Sequence, residues 1–272
     1  MCIRRIMAVY FTIASVCFKI HTSQVNKIWK KYKCTLKDVN NDFIEVIFEK
    51  NCIFSGYLNL EIWDNIAALK RIIRREDDIM ITDKKWSYNV VFPLRNVENG
   101  FAFLLQLFYT HAVQRHMIQI HSSLIENNGR GLMFLGPSGI GKTTQAELWN
   151  KYRDALIING DIVFVQETED SFLGWGTPWH GSSPYCENTS VPVEALVVLK
   201  QAPENSIREL TGFEKVSAVS GSVFYPQWLE NGMELCLETL DHLLSALPVY
   251  ELSCRPDEDA VALTEKTVFG GC

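Results

Sequence analysis

The sequence predicts an α/β phosphate-loop nucleotide-binding domain preceded by a small β-rich region. Three observations carry that expectation. Residues 136–143 read Gly136-Pro137-Ser138-Gly139-Ile140-Gly141-Lys142-Thr143, a complete G-x-x-x-x-G-K-[ST] run. An apolar stretch, Gly131-Leu132-Met133-Phe134-Leu135, precedes it as a buried strand, and helix formers from Thr144 to Trp149 follow it. The texture of the chain also changes near residue 95, from short β-like runs to alternating strands and helices.

Taken in order, residues 1–95 hold β-like runs at Tyr10–Ile20, Phe43–Phe48, Tyr57–Ile62, Ile79–Thr82 and Tyr88–Phe92. Polar turns such as Asp38–Asp42 and Arg74–Asp78 separate them. Arg4 and Arg5 ahead of an apolar run from Ile6 to Phe18 resemble a secretory leader. That run is too short to span a membrane and no small-residue cleavage site follows it. The β-branched and aromatic stretch Val9–Ile13 reads as a strand instead, and Met7 is an alternative start.

Residues 96–272 form the second predicted domain. Phe101–His116 is helix-like, with Phe101, Leu104, Leu105, Phe108 and Ala112 on one face. Met117–Ile125 reads as a strand, as do Ala155–Ile158, Ile162–Val165, Ala195–Leu199 and Val249–Leu252. Pro226–Leu247 reads as a long helix whose stripe of Leu229, Met233, Leu237, Leu240, Leu244 and Leu247 faces the core. A last helix starts at Asp257.

A strand, a glycine-rich turn and a helix in succession aim several backbone N–H groups and a positive helix end at one anion. The residues expected to bind nucleotide are therefore Gly136, Ser138, Gly139, Ile140, Gly141, Lys142, Thr143 and Thr144. Lys142 is expected to reach the β- and γ-phosphates of ATP, and the Thr143 hydroxyl to ligate Mg²⁺. A turn that binds nothing would leave the lysine and the glycines without a purpose.

The bulk numbers narrow the partners. The chain has 272 residues, 47% hydrophobic and 21% charged, a globular and not a disordered composition. Its net charge of −6 gives no electrostatic footprint for nucleic acid. Eight scattered cysteines include no C-x-x-C pair, so no zinc or redox motif is indicated. A cytoplasmic protein with free thiols and no membrane segment is the expectation.

Asp161 follows the strand Leu156–Ile158 across Asn159-Gly160, eighteen residues beyond Thr143. Strand ends converge on the ligand crevice of α/β sheets, so this carboxylate can hold Mg²⁺ or take a proton from an attacking hydroxyl. The alternative is a simple Asn-Gly-Asp turn. His121 lies on the strand before the phosphate-loop strand, on the polar face with Gln119 and Ser123. It can touch the transferring phosphoryl group or orient Asp161, or be a structural histidine.

Three runs, His121–Leu124, Leu135–Thr143 and Ile157–Asp161, together resemble the catalytic domain of HPr kinase/phosphorylase. Smaller HPr-kinase-like proteins, some from peptide-modification clusters, are the nearer likeness. The resemblance covers residues 100–200 best and implies a phosphoenolpyruvate-carboxykinase-like phosphate-loop fold. It also implies Mg²⁺-dependent phosphoryl transfer from ATP to a serine hydroxyl, with His121 and Asp161 as catalytic residues, and makes a homo-oligomer plausible. Two departures stand out. The family carries two adjacent aspartates where this chain has Gly160-Asp161, and its glycine-rich signature before the C-terminal helices has no clear counterpart here.

The run Gly174–Glu187 is rich in Trp, Gly, Pro and polar groups. It reads either as an acceptor surface, with Trp179, His180 and Glu187 as contacts, or as a structural plug at the sheet end. Lys200, Arg208 and Arg255 are candidate cations, and Arg208 is the best placed in sequence. The functional expectation is a kinase for a serine or similar hydroxyl of a peptide or small protein, such as a modified-peptide precursor. In it Lys142, Asp161 and His121 are catalytic. A small-metabolite kinase and a nucleotide-sensing module without transfer activity are the alternatives.

Overall fold

The computed structural model describes residues 8–22, 25, 27–35, 43–48, 53–55, 60–62, 71–75, 78–93 and 101–270. It divides into two compact units, Met1–His111 and Ala112–Cys272. The predicted boundary at 95/96 and the turn Asp38–Asp42 lie outside the described residues.

The first unit contains strands β1 (Ala8–Ile13), β2 (Val16–His21), β3 (Ile44–Phe48), β4 (Ile53–Ser55), β5 (Leu60–Ile62), β6 (Arg71–Arg75), β7 (Asp78–Thr82) and β8 (Tyr88–Phe92). Six of these make one sheet in the order β1-β2-β3-β8-β7-β6, and β4 pairs with β5. The single run expected over Tyr10–Ile20 is a hairpin. It reverses at Ala14 and Ser15, both with positive φ, and neither residue type advertises such a turn. Phe11, Trp29, Phe48 and Phe101 supply an aromatic core through edge-on and stacked contacts. Helix α1 (Ala102–Ala112) follows.

The second unit is mixed α/β. Its strands are β9 (Met117–Asn127), β10 (Arg130–Leu135), β11 (Leu156–Asn159), β12 (Ile162–Glu167), β13 (Phe172–Trp175), β14 (Ser190–Gln201), β15 (Ser206–Leu210), β16 (Val223–Phe224) and β17 (Val249–Cys254). Its helices are α2 (Lys142–Arg153), α3 (Gly212–Ser220), α4 (Gly232–Ala246) and α5 (Glu258–Phe269). Parallel pairing is confined to β10–β14 and β14–β17, while β9 and β10 form an antiparallel hairpin. Asn128 and Gly129 close that hairpin with φ of 53° and 78°, the conformation a two-residue turn demands.

Strand β9 changes partners along both of its edges. On one edge Met117–His121 pairs with β12 and Leu124–Glu126 with β11; on the other Gln119–Ile120 pairs with β16 and Ser122–Asn127 with β10. His121 is thus the last residue paired with β12, opposite the turn that joins β11 to β12. On one face, α2 and α5 bury Ile125, Leu132, Phe134, Trp149, Val197 and Leu252 in a single apolar cluster. Trp149 meets Phe269 edge-on at 6.0 Å.

The long helix departs from expectation. It begins at Gly232, not at Pro226, and buries Cys236, Thr239, Leu240, Leu243 and Leu244. Met233 and Leu237, expected in the core, are 38% and 48% exposed. Residues 226–231 fold instead as tight turns, in which Leu229 N–H donates to Pro226 O and Gly232 N–H to Leu229 O. Leu240 and Leu244 of the expected stripe are buried, so the stripe lies along one flank of the inward face, which Cys236, Thr239 and Leu243 complete.

Trp149 is fully buried, yet its indole N–H has no partner among the described residues. Trp149→Ala is expected to cost about 3–5 kcal/mol through the cavity it leaves. Trp149→Phe is expected to cost only about 1–2 kcal/mol, because it keeps most of the packing and removes the unpaired donor. Urea unfolding followed by circular dichroism separates the two, and equal losses would refute this account of the core.

Candidate functional site

The site is built where β10, β11 and the turn into β12 end. After β10 the chain enters residues 136–141, where Gly136, Gly139 and Gly141 all have positive φ. Gly141 is the N-cap of α2, with no side-chain cap of its own, so the first N–H groups of the helix face outward from the turn. A side chain at Gly139 would meet nothing within 4 Å. Residues 136–141 are therefore a backbone-lined turn open at its tip, the form an anion cradle takes.

Lys142 opens α2 and is buried. Its Nζ donates to Gly136 O at 3.0 Å and to Pro137 O at 3.2 Å, so the ammonium is folded back along the loop. Burial pushes its pKa below the ordinary lysine value, and the charge of Asp161 pulls it the other way. From behind, the Ser123 hydroxyl donates to Lys142 O at 2.9 Å and ties β9 to the start of the helix. The Thr143 hydroxyl donates to Gly160 O at 3.4 Å, joining the helix start to the residue before Asp161.

Asp161 and His121 meet directly. His121 Nε2 lies 2.9 Å from Asp161 Oδ1, and each side chain is 28% exposed. Their backbones are locked by the same junction. Ser122 N–H donates to Asp161 O, and His121 N–H donates to Ser222 O. The change of partners along β9 is what sets His121 beside the turn that carries Asp161.

Asn159 organises that turn and was not picked out by the sequence reading. It is fully buried. Its Oδ1 accepts from Asp161 N–H at 2.9 Å and Ile162 N–H at 3.0 Å, an Asx turn. Its Nδ2 donates to Thr177 O at 3.0 Å and Trp179 O at 3.3 Å. One side chain thus fixes both Asp161 and the loop after β13. The Thr177 hydroxyl adds bonds to Ile162 O and Trp179 O.

That loop lies against the carboxylate. Gly181 has φ +55°, and a Cβ there would overlap Asp161 Oδ2. A Cβ at Gly160 would overlap the Ser183 hydroxyl. The second carboxylate of the acidic pair therefore has no room at position 160 while Ser183 stays where it is.

The remaining expected residues are placed as follows. His180 Nδ1 bonds to Ser183 O, so this imidazole is engaged in shaping its own loop. Trp179 contributes its carbonyl to the Asn159 network. Glu187 N–H donates to Ile158 O and pins the far end of the loop to β11. Ser138, Ile140 and Thr144 lie in or just after the glycine-rich turn, and Gln201 Nε2 donates to Ile140 O. Arg208 is not brought to the site. It lies within β15, on the far side of β17 from β14, and is held by Glu214 and Glu251. Arg255 is paired with Asp257. No group of three or more His, Cys, Asp or Glu side chains able to hold a metal occurs among the described residues. Nor is any helix among them long and apolar enough to cross a membrane.

The fold and site define a mixed α/β domain in which a glycine-rich turn and a His–Asp pair share one edge. The chain belongs to the SynChlorMet cassette protein ScmC family, whose model matches residues 100–254. No match was found among curated proteins. Among solved structures, the chain is similar to the Hpr(Ser) kinase/phosphatase from Coxiella burnetii, at 12% identity and a TM-score of 0.34. That match covers 56% of this chain and 88% of the other. At that TM-score the likeness assigns neither fold nor function.

Asn159→Ala removes two accepted and two donated bonds to buried and part-buried backbone groups, of which Trp179 O keeps the Thr177 hydroxyl. It is expected to destabilise the second unit by about 2–3 kcal/mol, the range for orphaned buried polar groups. Proteolysis within residues 177–187 should accelerate in the same variant. Unchanged cleavage there would show that the loop is held by other contacts.

Proposed function

We propose that this protein is an ATP- and Mg²⁺-dependent phosphotransferase that acts on a serine or similar hydroxyl of a peptide or small protein. The observation that carries the reading is the bond from the Thr143 hydroxyl to Gly160 O. It brings the glycine-rich turn with its buried lysine to the strand end that holds Asp161 and His121. Anion-binding amides and a proton acceptor then face the same space, which phosphoryl transfer requires.

On this reading the amides of residues 138–144 and Lys142 hold the phosphates, supplying fixed positive charge in a partly desolvated setting. The acceptor oxygen bonds to the γ-phosphorus as the bond to the β–γ bridging oxygen breaks. ADP leaves with that electron pair, and the hydroxyl proton passes to the Asp161 carboxylate. His121, against Oδ1, keeps the carboxylate oriented and can receive the proton in turn.

The residues also fit a magnesium ion. The Thr143 hydroxyl keeps its lone pairs while donating to Gly160 O, and Asp161 is a partly exposed carboxylate. Mg²⁺ is ordinarily held by one or two such oxygens, with phosphates and water completing its shell. When bound, the ion neutralises charge on the phosphate oxygens.

Nucleotide binding and transfer separate in two variants. Lys142→Ala is expected to weaken ATP binding in calorimetry and to abolish transfer. Asp161→Asn is expected to leave the affinity for ATP without Mg²⁺ nearly unchanged and to slow transfer by about 10²–10⁴-fold, the usual worth of a positioned base. Mass spectrometry of a serine-containing peptide pool and a metabolite pool, each incubated with ATP and Mg²⁺, reads the acceptor. A phosphate added only to a metabolite would move the assignment to a small-molecule kinase. ATP binding with no labelled acceptor would favour a nucleotide-sensing module.

A further inference from the structure

The segment just beyond His121 exposes apolar side chains in an acidic setting. Phe224, on β16, is 48% exposed, and its ring centroid lies 6.3 Å from that of His121. Trp228, Met233 and Leu237 are also exposed. They belong to one tightly folded stretch. The Cys236 thiol of α4 lies against Phe224 O, and Gly232 packs so closely on Pro226 that a Cβ would overlap Pro226 O. The apolar surface therefore runs from the rim of the His121–Asp161 pair onto the first turns of α4.

Within this stretch the charge is one-sided, while the 3-10 turn Val113–Arg115 that packs against α4 brings Arg115 into its neighbourhood. From residue 216 to residue 254 the chain has no lysine and no arginine. Glu230, Glu234, Glu238 and Asp241 are exposed along the same stretch. On a helix, residues four apart stack in rows, so Met233, Leu237 and Asp241 form one row and Glu234, Glu238 and His242 the next. A strip of apolar groups edged by carboxylates selects against acidic segments and for cationic ones that carry large apolar side chains.

We propose that β16 and the N-terminal half of α4 are the docking surface for a basic, apolar-rich segment of the peptide acceptor. The acceptor's hydroxyl then reaches Asp161 from the side of Phe224. This inference rests on the phosphotransferase reading above and adds the chemical class of the acceptor to it. Anchoring through Trp228 and Leu237 supplies burial, and the carboxylate row supplies orientation and salt-sensitive attraction.

The test uses two short fluorescein-labelled peptides with the same leucines and one serine, one with lysines and one with glutamates at the charged positions. Fluorescence anisotropy on the full chain is expected to show binding of the lysine peptide only, weakened by added salt. The doubly reversed variant Glu234→Lys/Glu238→Lys changes exposed positions and is expected to keep its melting temperature. It should weaken lysine-peptide binding by about tenfold or more. Trp228→Ser should weaken it independently of salt. Equal binding of both peptides, or no effect of the charge reversals, would overturn the proposal. So would self-association of the wild type that Trp228→Ser abolishes, since a second copy would then be the occupant. Transfer is scored separately with ATP. Docking without phosphorylation leaves the surface assigned and the phosphotransferase reading refuted. Phosphorylation of the glutamate peptide as readily as the lysine peptide does the reverse.

Discussion

The site depends on one buried amide. Asn159 sits at the end of β11 with both polar atoms fully used, two bonds accepted and two donated. Its oxygen bends the chain so that Asp161 leaves the turn beside His121. Its nitrogen draws the 177–179 backbone onto the same turn. An aspartate at 159 would keep the acceptor half and lose the donor half, placing negative charge against two carbonyls. A leucine would lose all four bonds, and of the groups they serve Trp179 O would keep the Thr177 hydroxyl. Few side chains other than asparagine meet this double demand in so little space.

Around that anchor, closeness is achieved by leaving side chains out. Gly181 lets the loop lie on Asp161 Oδ2, and Gly160 leaves room for the Ser183 hydroxyl. The structure thereby gives a steric account of the departure noted in the sequence. Where the resembled family has an acidic pair, this chain has one carboxylate, and the space of the second is occupied by the loop. Restoring an aspartate at 160 would require Ser183 to move, and Ser183 is tied to His180 by backbone and imidazole bonds and to Tyr185 N–H through its hydroxyl. The single carboxylate is therefore built into the packing of the whole 177–185 loop.

Much of the second unit was legible because its signals are local. The glycine-rich turn, the strand before it and the helix after it each follow from a few consecutive residues. So does the cap at Asp257, whose side chain accepts from Ala260 N–H. Asn128-Gly129, which the sequence reading did not use, is a two-residue hairpin signal of the same local kind and accounts for the antiparallel pairing of β9 and β10. The Ala14-Ser15 reversal carried none, since both residues adopt positive φ only under tertiary constraint. The leucine stripe of α4 was right in part. Leu240 and Leu244 are buried, but Leu229 falls in the turns before the helix and Met233 and Leu237 lie on the exposed flank, because tertiary packing turns Cys236, Thr239 and Leu243 inward. Arg208 looked available in sequence because pairing with Glu214 and Glu251 is a property of the folded edge, not of the neighbouring residues. Asn159 was hidden in the same way. Its oxygen bonds are local, but its amide reaches residues eighteen and twenty positions away.

Lys142 shows how the anchor and the loop act together. A buried ammonium is costly, and here two carbonyl dipoles offset only part of that cost. The remaining counter-charge nearby is Asp161, which already faces His121. A polyanion at the glycine-rich turn would supply what the carbonyls cannot, and would do so without disturbing the His121–Asp161 pair. The Asn159 turn keeps these two charge systems adjacent but separately partnered: the lysine on the loop carbonyls and the carboxylate on the imidazole. On the phosphotransferase reading that separation matters. A lysine fully neutralised by Asp161 would bind phosphate less well, and an aspartate fully engaged by Lys142 would be a poorer proton acceptor. Holding His121 against Oδ1, through the change of partners along β9, leaves both groups free for their separate tasks.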